Sequence, residues 1–384
     1  MDFNLSEEQV AFSDAARQFA EQSLAPYAAE WDKNSFFPVE TIKEAANLGF
    51  CSLYTNESIG GLGLSRLDAS LVFEQLSMGC TSTTAYITIH NMVTWMVGEF
   101  GQDTLKSEWG DALSSGEKLA SYCLTEPGAG SDAASLKTKA EKEKDDYLIS
   151  GSKLFISGAG STDLLLVMVR TGGQGAQGIS AFAVPADTPG IHYGRKEDKM
   201  GWNSQPTRQV TFDKVRVPSC YRLGEEGEGF RFAMMGLDGG RINIASCSIG
   251  TAQQALNTAR QHMQDRTQFG KKLSEFQALQ FKLADMSTEL VAARQMVRLA
   301  ACLPDDGHPE KTVYCAMAKR LATDVGFNVC NEALQIHGGY GYIREYPLER
   351  HVRDTRVHQI LEGTNEIMRL IIARRLLSEQ IAEL

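Results

Sequence analysis

A carboxylate set among apolar neighbours is the first chemically suggestive feature of the chain. Glu362 stands in Val357-His358-Gln359-Ile360-Leu361-Glu362-Gly363-Thr364-Asn365-Glu366. Ile360 and Leu361 precede it, a glycine follows, and Thr364 is of the type that caps a helix. In such a setting desolvation raises a carboxyl pKa toward the range useful to a general base. Taken alone, the segment fits a surface glutamate in a turn better than a buried base.

A second segment, residues 122–132, runs Tyr122-Cys123-Leu124-Thr125-Glu126-Pro127-Gly128-Ala129-Gly130-Ser131-Asp132. Its glycines permit close backbone approach, and its hydroxyls and N–H groups suit a polar ring edge or a phosphate, although a tight turn has the same composition. No Gly-Lys-Ser/Thr follows, so it is not a Walker loop, and it is not a dinucleotide fingerprint. The chain's one formal GxGxxG, Gly173 to Gly178, leads into a strand-like run and reads as a hairpin loop. A third cluster, Gln335-Ile336-His337-Gly338-Gly339-Tyr340-Gly341-Tyr342, ends a helical period in closely spaced glycines. It reads either as a C-cap and loop or as a place where phosphates reach the backbone. Arg266 suits a pyrophosphate or a structural ion pair. His337, taken alone, is structural, and with no second ligand at helical spacing no metal site is expected.

These groups need elements to hold them. Ser6-Glu7-Glu8-Gln9 has the form of a capping box ahead of Phe12, Ala16 and Phe19. Similar periodicity over 39–48, 66–78 and 83–100 makes the first third helical. From about residue 122 short β-rich runs (147–149, 164–169, 179–184, 209–212) alternate with Gly, Pro, Asp and Ser. After Pro218 and a glycine-rich stretch at 224–229, helical periods return over 242–264, 275–301 and 309–336, with a last one from Asn365. No internal repeat or long linker separates the parts. The expected domains are 1–118, 119–225 and 226–384.

A chain of 384 residues, 43% hydrophobic, buries a large core. No apolar run is long enough for a membrane span, and membrane insertion is not expected. A formal charge of −10 without a basic block argues against nucleic acid as a partner. Eight scattered cysteines without a CxxC pair read as reduced core residues of a reducing compartment. The start at Met1 without a leader-like stretch favours a bacterial cytoplasm, or the mitochondrial matrix for a processed eukaryotic chain.

In this order and spacing, five segments resemble the acyl-CoA dehydrogenase family across essentially the whole chain: 122–132, Lys153-Leu154-Phe155-Ile156-Ser157, 266–270, 335–339 and 362–366. The resemblance implies an α+β, mainly α architecture: an N-terminal α-helical domain, a middle β-domain and a C-terminal four-helix bundle, assembled as a homotetramer with bound FAD. It implies Glu362 as the base. Tyr122, Cys123, Leu124, Thr125 and Ser131 would line the flavin, with Phe155, Ile156 and Ser157 beside its ring system. Arg266, Phe276 and Gln277, with Gln335, Ile336, His337, Gly338 and Gly339, would hold the diphosphate and adenosine side, partly across a subunit interface. Thr364, Asn365 and Glu366 would also meet the cofactor. Asp238, Gly239, Gly240, Arg241, Ser131, Gly363 and Arg374 would contact the acyl-CoA substrate. The family passes its electrons to an electron-transferring flavoprotein.

Several positions depart from the common pattern or discriminate within it. Many members carry tryptophan where Phe155 stands and glutamine where Glu366 stands. Some branches place the base just before the arginine corresponding to Arg241; here that neighbour is Gly240, which leaves Glu362. Segments 79–91, 201–208 and 239–246 are most similar to the branch acting on isobutyryl-CoA, which implies conversion to methacrylyl-CoA in valine catabolism. Butyryl-CoA and 2-methylbutyryl-CoA are the alternative substrates, because one methylene discriminates by only about 1–3 kcal/mol. An acyl-CoA oxidase and a non-catalytic, nucleic-acid-binding flavoprotein are the remaining alternatives; the first is usually a longer chain and the second needs a basic surface.

Overall fold

The computed structural model describes residues 4–378. Six helices come first: α1 (Glu7–Phe19), α2 (Ala28–Asn34), α3 (Val39–Asn47), α4 (Arg66–Gly79), α5 (Thr81–Phe100) and α6 (Asp103–Ser114). The capping box at α1 is present: Gln9 N donates to Ser6 Oγ at 3.1 Å, and Ser6 N to Gln9 Oε1 at 3.1 Å. A second box, Ser65 with Asp68, starts α4. Each satisfies N–H groups that an open first turn would leave unpaired.

Strands β1 (Ala120–Cys123), β2 (Lys139–Glu143), β3 (Asp146–Ser157), β4 (Leu164–Arg170), β5 (Ile179–Pro185), β6 (Ile191–Tyr193), β7 (Thr207–Pro218) and β8 (Arg222–Leu223) form one sheet in the order β6-β7-β3-β2-β4-β5-β8, with β1 beside β4. Pairing is mostly antiparallel, and β1 runs parallel to β4. The Gly173–Gly178 stretch joins antiparallel β4 and β5, as a hairpin loop should. Strand β3 is far longer than its apolar triplet because Gly151 and Phe155 sit at register shifts against β7 that let it bend and continue.

The chain then returns to helix: α7 (Gly229–Asp265), α8 (Gln277–Asp305), α9 (Lys311–His337), α10 (Leu348–Arg356) and α11 (Asn365–Leu376), with a small hairpin, β9 (Thr267–Gln268) and β10 (Lys271–Lys272), after α7. Helix α7 begins thirteen residues before the expected 242. Glycines 236, 239 and 240 weaken its local propensity by about 1 kcal/mol each, but each faces a close neighbour that a side chain would displace: Met96 Sδ, Arg66 and Glu362. Tertiary contact overrides propensity there. Its apolar face (Ile242, Ala245, Ile249, Ala252, Ala255) packs with Leu290, Ala293 and Val297 of α8 and Ala318, Ala322 and Val325 of α9.

Small residues set these helix spacings. A Cβ on Gly250 of α7 would overlap the Glu74 carbonyl of α4, a backbone atom that cannot rotate away. Gly250→Ala is therefore expected to destabilise the fold by about 1–3 kcal/mol, read as a lowered Tm in far-UV circular dichroism; an unchanged Tm would mean that the α4/α7 crossing is looser than described.

Candidate active site

The candidate site lies where the segment before α11 meets α7, α9 and the sheet. Glu362 has φ 54° and Gly363 φ 92°. Two left-handed residues in succession reverse the chain sharply, and a non-glycine residue there costs of order 1–3 kcal/mol. Thr364 then caps α11, accepting from Ile367 N at 3.3 Å. Upstream, Trp202 Nε1 donates to His358 Nε2 at 3.2 Å, and His358 Nδ1 lies 2.7 Å from Ser248 Oγ, whose hydroxyl is given to Ile244 O. With Nε2 accepting, the imidazole is neutral and Nδ1–H donates; burial pushes its pKa down to about 3. This chain ties the segment before Glu362 to α7.

The Glu362 residue is partly exposed, yet its Oε2 is out of solvent and without a hydrogen-bond partner. A Cβ on Gly240 would overlap both carboxyl oxygens and the carboxyl carbon, so the carboxylate lies directly on the bare backbone of α7. Burial raises the Glu362 pKa to about 7, against the opposing charges of Lys319 and Arg241. Its charge is felt by two buried phenols, Tyr122 and Tyr54, whose own pKa values burial raises first. The Tyr122 hydroxyl is buried and unpartnered. Among the described residues the Glu362 N–H has no acceptor, which leaves it as a donor for a ligand oxygen.

Arg241 donates from Nη1 to Asp238 Oδ1 at 2.6 Å, and Thr312 Oγ1 donates to Asp238 Oδ2 at 2.6 Å. Asp238 and Arg241 thus enter the site as a mutually neutralised pair. Gly239 faces Arg66, whose guanidinium stands 3.5 Å from the Tyr54 ring centre and 4.9 Å from that of Trp95, with Nη1 unpartnered.

On the sheet side, Lys153 is fully buried and gives Nζ to Leu124 O at 3.0 Å and Glu126 Oε1 at 2.8 Å. Glu126 also accepts from Lys137 N and Thr138 N, and Leu154 N donates to Thr125 O at 2.8 Å. These bonds lock the 122–132 loop beside Phe155. Phe155 has φ 59° and its ring is left 61% exposed, an expensive state for an aromatic residue that a stacked planar ligand would relieve. Leu124, Thr125 and Ser157 are partly exposed and Ser131 exposed, whereas the Cys123 and Ile156 side chains are buried in the sheet core and offer only backbone.

A separate cavity of about 480 Å³ is lined by His262, Arg266, Gln268, Leu273, residues 336–340 and Ile343. Ile336, His337, Gly338, Gly339 and Arg266 are thereby brought together. Gly338 has φ 58°, and added Cβ atoms on Gly338 and Gly339 would meet nothing, so the backbone there is open to a ligand. Arg266 supplies positive charge, pairs with no carboxylate among the described residues, and lies 5.7 Å from the Tyr340 ring centre. His337 bonds Ala333 O and stacks on His262. Gln335 and Gln277 are exposed, and Phe276 caps α8 beside Lys271. Asn365 is committed to a buried network, while Glu366 and Arg374 are exposed on α11. No cluster of metal-ligating side chains occurs among the described residues.

The donor set fits FAD: an exposed aromatic face, a locked loop with free polar groups, and a glycine-lined cavity with an arginine. Sequence reasoning passed over Lys319, Tyr54 and Arg66. Lys319 left one signal, a lysine between Ala318 and Ala322 on an otherwise small and apolar helix face.

Family models for the acyl-CoA dehydrogenase N-terminal, middle and C-terminal domains match residues 6–117, 121–215 and 227–377. The mitochondrial isobutyryl-CoA dehydrogenase of Bos taurus is 53% identical over 98% of this chain and 90% of its own. The solved butyryl-CoA dehydrogenase of Megasphaera elsdenii is 41% identical, with a TM-score of 0.95 over 98% of this chain and 100% of its own. PigA, solved with FAD and proline, is 29% identical with a TM-score of 0.95 over 98% of this chain and 99% of its own. With three consecutive domain models spanning the helices, the sheet and the bundle, the chain belongs to the acyl-CoA dehydrogenase family of flavoenzymes.

Proposed function

We propose that this enzyme oxidises isobutyryl-CoA to methacrylyl-CoA, with Glu362 taking the α-proton. The observation that carries the reading is the Glu362 carboxylate, seated on Gly240 with its Oε2 out of solvent and unpartnered. FAD, when bound, accepts the β-hydride; loss of proton and hydride together leaves the Cα–Cβ double bond. A thioester α-proton is far too weakly acidic for a carboxylate in water. The free Glu362 N–H therefore serves as a donor to the thioester oxygen as negative charge develops there, an effect worth about 3 kcal/mol for a well-placed donor. The Asp238–Arg241 pair, Gly239 and Gly363 border the thioester, and the 122–132 loop with Phe155 and Ser157 holds the flavin ring.

The branched substrate is supported by the 53% identity to an isobutyryl-CoA dehydrogenase against 41% to a butyryl-CoA dehydrogenase. We assign the electrons to an electron-transferring flavoprotein, the family's usual acceptor. A homotetramer is supported by large apolar groups that one chain leaves bare near the Arg266 cavity, Phe269 at 94% and Tyr342 at 82% exposure. The division at 118/119 and 225/226 follows the passage from α6 to β1 and from β8 to α7. No helix among the described residues is long and apolar enough to cross a membrane. The mitochondrial matrix, or the cytoplasm of a bacterium, is the compartment we propose.

The flavin-loaded enzyme mixed anaerobically with isobutyryl-CoA should bleach faster than with butyryl-CoA or isovaleryl-CoA. Glu362→Gln should slow bleaching by about 10²–10⁴-fold, the range for loss of a general base. If butyryl-CoA bleaches fastest, the branch assignment fails and the mechanism stands; if Glu362→Gln bleaches at the unsubstituted rate, the base is elsewhere.

The pH profile follows from the same carboxylate. The base must be ionised, so kcat/KM should rise with pH through about 7 and level above it. A rise centred near the ordinary carboxylate value would contradict a desolvated base.

Gly240→Ala tests the seat. The added methyl displaces the carboxylate, and a misplacement of about 1 Å costs roughly 10²-fold, so turnover should collapse at unchanged flavin content. Retained turnover would show that the carboxylate works from another position.

A further inference from the structure

Lys319 of α9 is fully buried, which is costly for an ammonium group. Its Nζ donates to Gly363 O at 2.8 Å and to Asn365 Oδ1 at 2.9 Å. Asn365 in turn gives Nδ2 to Thr323 Oγ1 at 3.0 Å and to Asp324 Oδ1 at 2.7 Å, and Gln359 Nε2 donates to the same Asp324 oxygen at 2.8 Å. The network therefore grips the chain at 359, 363 and 365, on both sides of Glu362. Both acceptors of the ammonium are neutral, and a neutral donor would hold a carbonyl and an amide oxygen at lower desolvation cost. The charge itself needs a purpose that these two bonds do not supply.

We propose that Lys319 is a positioning residue for Glu362: it pins the Gly363 carbonyl so that Glu362 keeps its left-handed turn toward Gly240, and its charge holds the carboxylate in the ionised form. This rests on the reading of Glu362 as the base. The remaining groups around the carboxylate do not substitute for it. On α7, Arg241 is the second cation opposing burial of the carboxylate and gives Nε to Glu362 O at 3.5 Å, but it shares its charge with Asp238 through Nη1, and Cys247 is a buried thiol whose pKa burial raises. From the N-terminal helices and the sheet come the Tyr54 and Tyr122 phenols, with Arg66 behind Tyr54. His358 is neutral, Asp324 is bonded to Asn365 and Gln359, and Glu366 is exposed. Burial lowers the Lys319 pKa to about 8, and Glu362 raises it. Each buried charge thus favours the other.

The test compares the FAD-loaded enzyme with Lys319→Met and Lys319→Gln, and uses Glu362→Gln to identify the Glu362 carboxyl band in infrared difference spectra. Removing the cation leaves desolvation less opposed, so the Glu362 titration and the rising limb of kcat/KM should both move to higher pH by roughly one unit. Lys319→Gln, which keeps a donor but no charge, should move the limb equally while losing less activity on the plateau. A limb that stays in place while activity falls at every pH would reduce Lys319 to a structural role and overturn the proposal. Should neither variant fold, Lys319→Arg, which keeps the cation, decides: the rising limb should stay in place, and a limb displaced upward with the charge retained overturns the proposal. Failure of the base reading is separate, since it appears as unimpaired bleaching in Glu362→Gln.

Discussion

Keeping one carboxylate dry, correctly aimed and still able to ionise is the constraint around which the C-terminal half is arranged. Desolvation alone would hold Glu362 protonated at neutral pH; opposing charge alone would return it to the ordinary range and leave it a weak base. The structure sets burial first and then two cations, Lys319 and Arg241, the second already spent on Asp238. The aim comes from the backbone. A left-handed glutamate followed by a left-handed glycine turns the side chain back onto α7, where Gly240 has no side chain to meet it. Strain in the turn is sustained because α9, α10 and α11 bond to the chain on both sides of it.

The sheet meets a parallel demand. An aromatic face has to stand clear of the protein, although apolar surface favours burial by about 25 cal/mol per Å². Strand β3 achieves this by a register shift between Lys153 and Ile156 that puts Phe155 in a left-handed conformation while Lys153 and Ile156 stay buried. Lys153 and Glu126 form a buried ion pair with every oxygen of the carboxylate bonded, the condition under which such a pair is tolerated. Its consequence is rigidity: the loop at 122–132 cannot drift relative to Phe155, so a ligand between them meets a preformed cleft.

Much of this was legible in the residues. Helical periods located α3, α4, α5, α8, α9 and α11 to within a few residues, and the capping box at Ser6 was readable outright. Glu362 stood out because apolar neighbours and a glycine surround it. Other features were hidden for physical reasons. The first half of α7 is rich in glycine, which signals a break unless the partners filling the space are known. Helix α10 reads Leu-Glu-Arg-His-Val-Arg-Asp-Thr-Arg, too charged to suggest packing, yet its Arg353 bonds Asp32 of α2 at 2.6 Å and its Asp354 accepts from Trp202 N at 2.6 Å. Lys319 is invisible as a site residue because only the tertiary fold brings it to Gly363, forty-four positions on.

The geometry at Gly240 also explains why the family resemblance leaves two possible places for the base. A side chain at 240 would start where the Glu362 carboxylate now ends. The two chain positions, 122 residues apart, therefore address one point in space. They compete for the same space: a side chain at 240 would push the Glu362 carboxylate from where it now lies. What the reaction fixes is the location of the proton acceptor, and the fold offers two stems that reach it. In this chain the stem from 362 brings two things that α7 does not: an adjacent N–H that stays free for a ligand oxygen, and the Gly363 carbonyl that Lys319 holds. On the proposed mechanism, proton acceptor and enolate donor belong to one residue, so any motion of the turn moves both together and its misplacement weakens both.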